Sequence, residues 1–198
     1  MSEARILSVE ELLKLDLVIP SYQRPYKWTE KNIRELILDI QKGIEDAKKY
    51  PNFKYRVGTV ILYQENDTKP YEIVDGQQRI LSFLLLKLCL NPDFTCSLLS
   101  ATFSDKVTLG NLHSNSDRIR EWCSSVDDGV KEAFDKALSE VLEVVVLTVG
   151  ELSEAFQLFD SQNTRGRELY PHDLLKAYHL REIHDKYDMQ RAVLKWES

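Results

Sequence analysis

The chain has 198 residues, of which 43% are hydrophobic and 29% are charged, and its net charge at pH 7 is −6. These values are typical of a soluble globular protein with room for one sizeable domain, or for one domain and part of another. The acidic balance argues against a broadly basic surface that coats nucleic acid, although a local basic cleft is compatible with it.

The first predicted elements are short and surround a polar segment. Ser8 has the spacing of a capping box, which predicts a short helix through Leu15. A brief strand is expected over Leu17–Ile19. Thr29 is placed as an N-cap, and apolar residues at helical spacing after it predict a helix to about Lys48. We expect that helix to bury one face and to expose its charged residues to solvent.

A hairpin and an apolar helix follow. Tyr55–Tyr63 is rich in β-branched and aromatic residues and predicts a strand, which a polar turn joins to a second strand over Tyr71–Val74. Gly58 lies inside the first strand and indicates a bulge or the close approach of a ligand or another backbone. Ile80–Leu90 is almost free of charge, so it predicts a helix that is buried on most sides.

The second half of the chain is expected to be mostly helical, with a single valine-rich strand. Asn91–Gly110 is weakly patterned and is expected to be irregular. The other predicted elements are helices over Asp117–Trp122, Val130–Leu138 and Glu151–Phe159, a buried strand over Val141–Val149, a polar loop over Asp160–Arg167, and a last helix from Pro171 to about Tyr187.

These elements predict an α/β (α+β) fold in which helices flank a small mixed sheet. We expect one domain over residues 1–198, with a core over 1–90 and a mostly helical part over 111–198 that completes the functional site. The charged stretch at Trp196–Ser198 has no terminating cap, which indicates a fragment of a longer protein.

Several common site types have no pattern in this sequence. Its three cysteines are odd in number and lack zinc spacing, which indicates reduced thiols in a cytoplasmic protein. The four histidines form no recognised zinc motif, and neither common nucleotide fingerprint nor a nucleophile elbow occurs. The longest apolar run is too short to span a bilayer, so we expect no membrane contact.

The motif Asp75-Gly76-Gln77-Gln78-Arg79 stands between a predicted strand and the apolar helix. Glycine permits a sharp turn, and a helix N-terminus offers unpaired amides and a positive dipole end. Two carboxamides, an arginine and a carboxylate crowd the same place, so the arrangement fits a phosphate site. The alternative is an N-cap aspartate followed by a solvated turn.

Two further polar segments carry an arginine and a carboxamide, namely Tyr22–Trp28 and Asn163–Arg167. If they meet the Asp75–Arg79 motif, they supply forked donors for phosphates, a carboxylate for a metal ion, and aromatic rings for a base. The alternative for the first of them is an aromatic loop that packs on the core, with Arg24 in a structural ion pair.

The order of these three motifs resembles the N-terminal domain of GmrSD-type restriction enzymes, within the wider ParB and sulfiredoxin-like superfamily. The resemblance extends from about Leu7 to Leu180. It implies a ParB/sulfiredoxin-like core and a domain that binds and hydrolyses nucleoside triphosphates in phage defence. It also implies DNA as a partner of the whole system and a His-Asn-His nuclease elsewhere, since these 198 residues contain no such nuclease pattern.

The resemblance also implies roles for individual residues, with Mg²⁺ or a similar divalent cation accompanying the triphosphate. The catalytic candidates are Asp75, Gln78 and Arg79, of which Asp75 is also the metal-ligand candidate. The nucleotide-binding candidates are Tyr22, Gln23, Arg24, Gly76, Gln77, Asn163 and Arg165. Two alternatives stay open, a non-enzymatic sensor of nucleotide or modified DNA that controls a partner nuclease, and a domain that cleaves DNA itself.

Overall fold

The computed structural model describes the backbone of residues 3–163 and the side chains of residues 3–161. A five-stranded mixed sheet in the order β1-β5-β3-β4-β2 forms its centre, and helices cover both of its faces. The strands are β1 Glu3–Ser8, β2 Leu17–Val18, β3 Tyr55–Tyr63, β4 Tyr71–Asp75 and β5 Leu142–Val149. The helices are α1 Val9–Lys14, α2 Glu30–Lys49, α3 Gln77–Leu90, α4 Lys106–Ser125, α5 Asp128–Glu140 and α6 Leu152–Asn163, with a short 3₁₀ helix at Ser97–Ser100.

The sheet combines both kinds of strand pairing. β3 runs parallel to β5 and antiparallel to β4, β1 pairs antiparallel with β5, and β2 pairs parallel with β4. The predicted α/β fold with a small mixed sheet is therefore confirmed. Among the described helices, none has both the length and the apolar composition needed to cross a bilayer.

The two faces of the sheet bury unequal cores. The larger core packs α1 to α5 against alternate strand residues such as Val60 and Leu62. The smaller core lies under α6 and contains Ile61, between those two residues on the same strand, together with Val74 and Phe156. The thinner cover on the second face matters for function, because α6 there meets the Tyr22–Trp28 segment.

Most predicted elements are confirmed, some of them to the residue. β3 occupies the predicted range, and Ser8 caps α1 through a capping box, with its Oγ accepting from the Glu11 amide at 3.1 Å. The predicted buried helix is α3, in which Gln77, Ile80 and six further residues are buried.

Two predictions about elements were wrong, and one strand was not predicted. α4 begins at Lys106 instead of Asp117, because the Asp105 carboxylate caps it and accepts from two amides at 2.9 and 3.0 Å. α6 continues through Asn163, so the predicted loop does not begin at Asp160. β1 was not expected to be a strand, since its pairing with β5 and not its local sequence defines it. The predicted helix from Pro171 lies outside the described residues.

Candidate functional site

Gly76 forms the turn between β4 and α3. Its φ of +98° is left-handed backbone, and a Cβ there would lie 2.7 Å from Cγ2 of Val60. Only glycine meets both requirements without strain. Gly76 and Gln77 are buried, so the first amides of α3 lie beneath neighbouring residues and not on an open surface.

Residues Tyr22–Trp28, called the aromatic segment below, lie across this helix start. The Gln78 carboxamide fastens the segment at three points. Its Oε1 accepts from the amides of Lys27 and Trp28 at 2.7 and 3.0 Å, and its Nε2 donates to the Pro25 carbonyl at 3.2 Å. The aromatic segment and the Asp75–Arg79 motif therefore lie together, as predicted, and hydrogen bonds between a carboxamide and the backbone connect them.

Two other carboxamides make the same kind of connection. Gln23 donates to the carbonyls of Ile73 and Val74, each at 2.7 Å, where β4 ends. Gln77 donates to the Arg24 carbonyl at 3.1 Å, and its Oε1 is buried without a hydrogen-bond partner among the described residues. A buried acceptor without a partner is costly, so this oxygen is a place where a donor would be favourable.

The aromatic segment also reaches α6. The Tyr22 ring packs edge-on against Phe156, with ring centroids 5.6 Å apart, and its hydroxyl donates to Glu72 at 3.1 Å. Burial and then the Glu72 carboxylate raise the pKa of Tyr22 well above its usual range, so the phenol stays protonated. The exposed Arg24 guanidinium lies over the Phe159 ring at 5.7 Å. Within residues 3–161, Arg24 thus makes a cation–π contact and not the ion pair considered from the sequence.

The third predicted motif is only partly described. Asn163 is the last residue of α6, and its side chain lies outside the described residues, as does all of Arg165. The helix that leads to them does touch the aromatic segment through Phe156 and Phe159.

Arg79 is fixed against β3. Its Nη1 donates to the Val57 carbonyl at 2.9 Å, and a Cβ on Gly58 would collide with the guanidinium. Gly58 has a φ of +119°, and the pairing of β3 with β5 shifts register between Arg56 and Thr59. Gly58 therefore marks a bulge, as predicted, and the group that approaches it closely is the Arg79 side chain.

A cavity of about 260 Å³ opens between α2, β3 and α3 beside this arginine. We call it the Arg79 cavity. Its polar and aromatic lining includes Trp28, Asn32, Glu35, Asp39, Arg56 and Arg79. Trp28 comes from the aromatic segment, so the cavity is continuous with the surroundings of the Asp75–Arg79 motif.

The sequence did not indicate the α2 side of this cavity. The charged residues of α2 were expected only to face solvent, yet Glu35 and Asp39 line the cavity. Asn32, Glu35 and Asp39 recur at intervals of three and four, which places them on one helix face. That spacing is the one available sequence signal, and a solvated face has the same pattern.

Asp75 stands at the end of β4, half-buried and paired through its backbone with Ile61. Within residues 3–161, no hydrogen bond or ion pair engages its carboxylate, and Arg79 bonds to Val57 and not to Asp75. Mg²⁺ commonly binds proteins through one or two carboxylates plus substrate phosphates and water, so a single free carboxylate fits that ion. The described residues contain no group of three or more histidines, cysteines and carboxylates that could hold a metal ion.

A buried polar network anchors the aromatic segment from the other side. Tyr26 is fully buried, and its hydroxyl lies 2.7 Å from Ser82 Oγ. Asn115 on α4 donates to the Tyr26 hydroxyl and to the Trp28 carbonyl, each at 2.8 Å, while Thr108 accepts from the Tyr26 amide. These residues hold Trp28 in place at the cavity. Tyr26 belongs to a predicted motif, but no sequence motif indicated Ser82, Thr108 or Asn115.

The family follows from these motifs in their structural setting. The family model described as the GmrSD restriction endonuclease N-terminal domain matches residues 9–180. The chain belongs to this family. This GmrSD N-terminal domain is therefore a component of a restriction, or phage-defence, system that acts on DNA. No curated protein sequence gives a significant match to the chain.

Proposed function

We propose that this GmrSD N-terminal domain binds a nucleoside triphosphate with Mg²⁺ and hydrolyses it to regulate its restriction system. The observation that carries the proposal is the Arg79 cavity, which is lined by Trp28 and by a guanidinium that is hydrogen-bonded to the Val57 carbonyl. A planar cation and an aromatic ring that line one cavity suit a ligand that has both a flat ring and hydrogen-bond acceptors.

The size of the cavity supports binding of part of a nucleotide. Pockets that enclose a drug-sized ligand measure roughly 300–1,000 Å³. At about 260 Å³ the Arg79 cavity would enclose a nucleobase, with the sugar and phosphates outside it.

The carboxylates that line the cavity favour enclosure of the base of the nucleotide over enclosure of its phosphates. Glu35 and Asp39 both line the cavity and would repel a phosphate chain placed within it. Arg56 also lines the cavity and is exposed, so it is positioned to meet phosphates that extend outward. Asp75 stays the candidate ligand for the accompanying Mg²⁺, which would neutralise part of the phosphate charge when bound.

The carboxamides then have a positioning role in this proposal. The side chains of Gln23, Gln77 and Gln78 each form hydrogen bonds with backbone groups around the start of α3. They would hold the aromatic segment, and with it Trp28, in the conformation that forms one wall of the cavity. The nucleotide-binding roles of Tyr22, Arg24, Asn163 and Arg165 stay predictions.

The test is a calorimetric titration with Mg²⁺ and a panel of triphosphates. Arg79→Ala is expected to weaken binding by about ten- to a hundredfold, because a charge-assisted hydrogen bond is lost. Arg79→Lys is expected to recover only part of the affinity, since an ammonium lacks the planar fork. Arg34→Ala is the matched control, because it removes an exposed arginine of α2 outside the cavity.

Two outcomes would contradict the proposal. One is a wild-type protein that binds none of the triphosphates, and the other is a folded Arg79→Ala variant that binds as tightly as wild type. Phosphate release then separates an NTPase from a non-enzymatic sensor, and nicking of a supercoiled plasmid tests direct DNA cleavage.

A further inference from the structure

The Arg79 cavity is lined both by an arginine, which donates hydrogen bonds, and by Asp39, an exposed carboxylate that accepts them. Arg79 supplies the donor side. One of its nitrogens is bonded to the Val57 carbonyl at 2.9 Å, and Gly58 leaves the guanidinium just enough room. A guanidinium has five N–H donors in a rigid fork, so further donors remain for a ligand.

Asp39 supplies the acceptor side. Of the two cavity carboxylates, Glu35 lies 3.9 Å from Lys31, whereas Asp39 has no hydrogen bond or ion pair with any described residue. Burial and then the Asp39 charge raise the pKa of Tyr55, which places that carboxylate close to a second aromatic residue of the cavity. Asp39 is therefore the carboxylate available to accept from a ligand.

The four nucleobases differ in how well they match this pair. Guanine has two adjacent acceptors, O6 and N7, which a guanidinium binds in a forked manner. Its opposite edge has two adjacent donors, N1–H and N2–H₂, which match the two oxygens of a carboxylate. Adenine and uracil lack both of these pairs and cytosine lacks the donor pair, so each of them would lose at least one forked contact that guanine makes.

Resting on the proposed function, we propose that the Arg79 cavity is a guanine pocket, so that GTP is the preferred triphosphate. Arg79 donates to O6 and N7, Asp39 accepts from N1–H and N2–H₂, and the Trp28 ring packs on the base. Each forked pair that is lost with another base weakens binding by about ten- to a hundredfold.

The first experiment titrates the protein with Mg²⁺ and GTP, ATP, CTP, UTP or ITP. GTP is expected to bind at least about tenfold more tightly than ATP, CTP and UTP. ITP lacks the N2 amino group and is expected to bind with intermediate affinity.

The second experiment reverses the specificity. In Asp39→Asn, one carboxylate oxygen is replaced by an NH₂ donor, which opposes the guanine amino group but matches the O2 acceptor of xanthine. The variant is expected to lose affinity for GTP and to gain affinity for XTP, a reversal that a loss of stability cannot produce. The control is Asp46→Asn, which changes a carboxylate of the same helix that is ion-paired with Lys49 at 3.6 Å.

The outcomes separate this inference from the function on which it rests. Equal affinity for all four common triphosphates, or a folded Asp39→Asn variant that still prefers GTP over XTP, overturns the guanine pocket and leaves triphosphate binding intact. Failure to bind any triphosphate overturns the proposed function itself. If GTP does not bind, and a guanine-containing single strand binds to wild type but not to a folded Asp39→Asn variant, the cavity recognises DNA and the GTP assignment is wrong.

Discussion

The start of α3 and the Arg79 cavity are neighbours, but their polar groups are used in opposite ways. At the helix start, the carboxamides of Gln77 and Gln78 are engaged by backbone groups of the aromatic segment. In the cavity, Asp39 forms no hydrogen bond or ion pair with a described residue, and Arg79 has further N–H groups that can donate to a ligand. The two carboxamides of the motif thus build the site through backbone contacts, while the proposal assigns the ligand contacts to Arg79 of the motif and to Asp39 outside it.

Gly58→Val is expected to have the largest effect, because it disturbs both regions. A β-branched residue at a φ of +119° costs about 1–3 kcal/mol in backbone strain, and its side chain would displace the Arg79 guanidinium. Urea unfolding and triphosphate titration should both show a loss. The control is Gly110→Ala, where a Cβ meets no atom within 4 Å and the helix is expected to gain roughly 0.5–1 kcal/mol.

Gln78→Ala tests whether that carboxamide holds the segment or binds the ligand. Removing its oxygen leaves the amides of Lys27 and Trp28 without their acceptor, so the free energy of unfolding should fall by about 1–3 kcal/mol. Gln41→Ala, which removes an exposed bond to Glu45, is the control and should change stability little. Unchanged stability with lost triphosphate binding would instead make Gln78 a ligand-binding group.

Tyr26→Phe removes only the buried hydroxyl between Ser82 and Asn115. We expect the free energy of unfolding to fall by about 1–2 kcal/mol, since both partners lose a hydrogen bond in the interior. Asn115 still bonds to the Trp28 carbonyl, so triphosphate affinity should change less than in Gln78→Ala. A larger loss of affinity than of stability would mean that the hydroxyl itself positions Trp28.

Arg56→Gln is expected to have the smallest effect on stability. Its ion pair with Glu143 is 3.7 Å long and its own side chain is 57% exposed, and ion pairs at the surface contribute about 0–1 kcal/mol. If Arg56 contacts the phosphates, the variant should bind triphosphate several-fold more weakly, and the salt dependence of binding should decrease. Unchanged affinity at low and high salt would remove Arg56 from the site.

The sequence predicted the β3–β4 hairpin and β5 well, because local composition determines them, whereas it missed the edge strand β1. β3 combines β-branched and aromatic residues over its whole length, and Gly58 was identified as a bulge position from glycine alone. The beginning of α4 was missed, since Thr108 and Asn111 look unfavourable for a helix until their bonds to Tyr26 are known. Those bonds join residues more than 80 positions apart.

The candidate site was predictable only in outline. The order of motifs indicated that the aromatic segment meets the Asp75–Arg79 motif, and their contacts agree. The sequence could not indicate that Glu35 and Asp39 line a cavity, because charges on an amphipathic helix have the same spacing whether they face solvent or a ligand. Only the packing of α2 against β3 and α3 distinguishes the two.

The most direct test of the account is the fluorescence of Trp28 during a titration with Mg²⁺ and GTP. Trp122→Phe combined with Trp196→Phe leaves Trp28 as the only tryptophan of the three, and Trp122 packs on Phe134, where a phenylalanine retains the aromatic contact. A base stacked in the Arg79 cavity should quench Trp28 saturably, and Arg79→Ala in the same background should abolish the quenching. Binding detected by equilibrium dialysis without any change in Trp28 emission would place the nucleotide elsewhere and contradict the account.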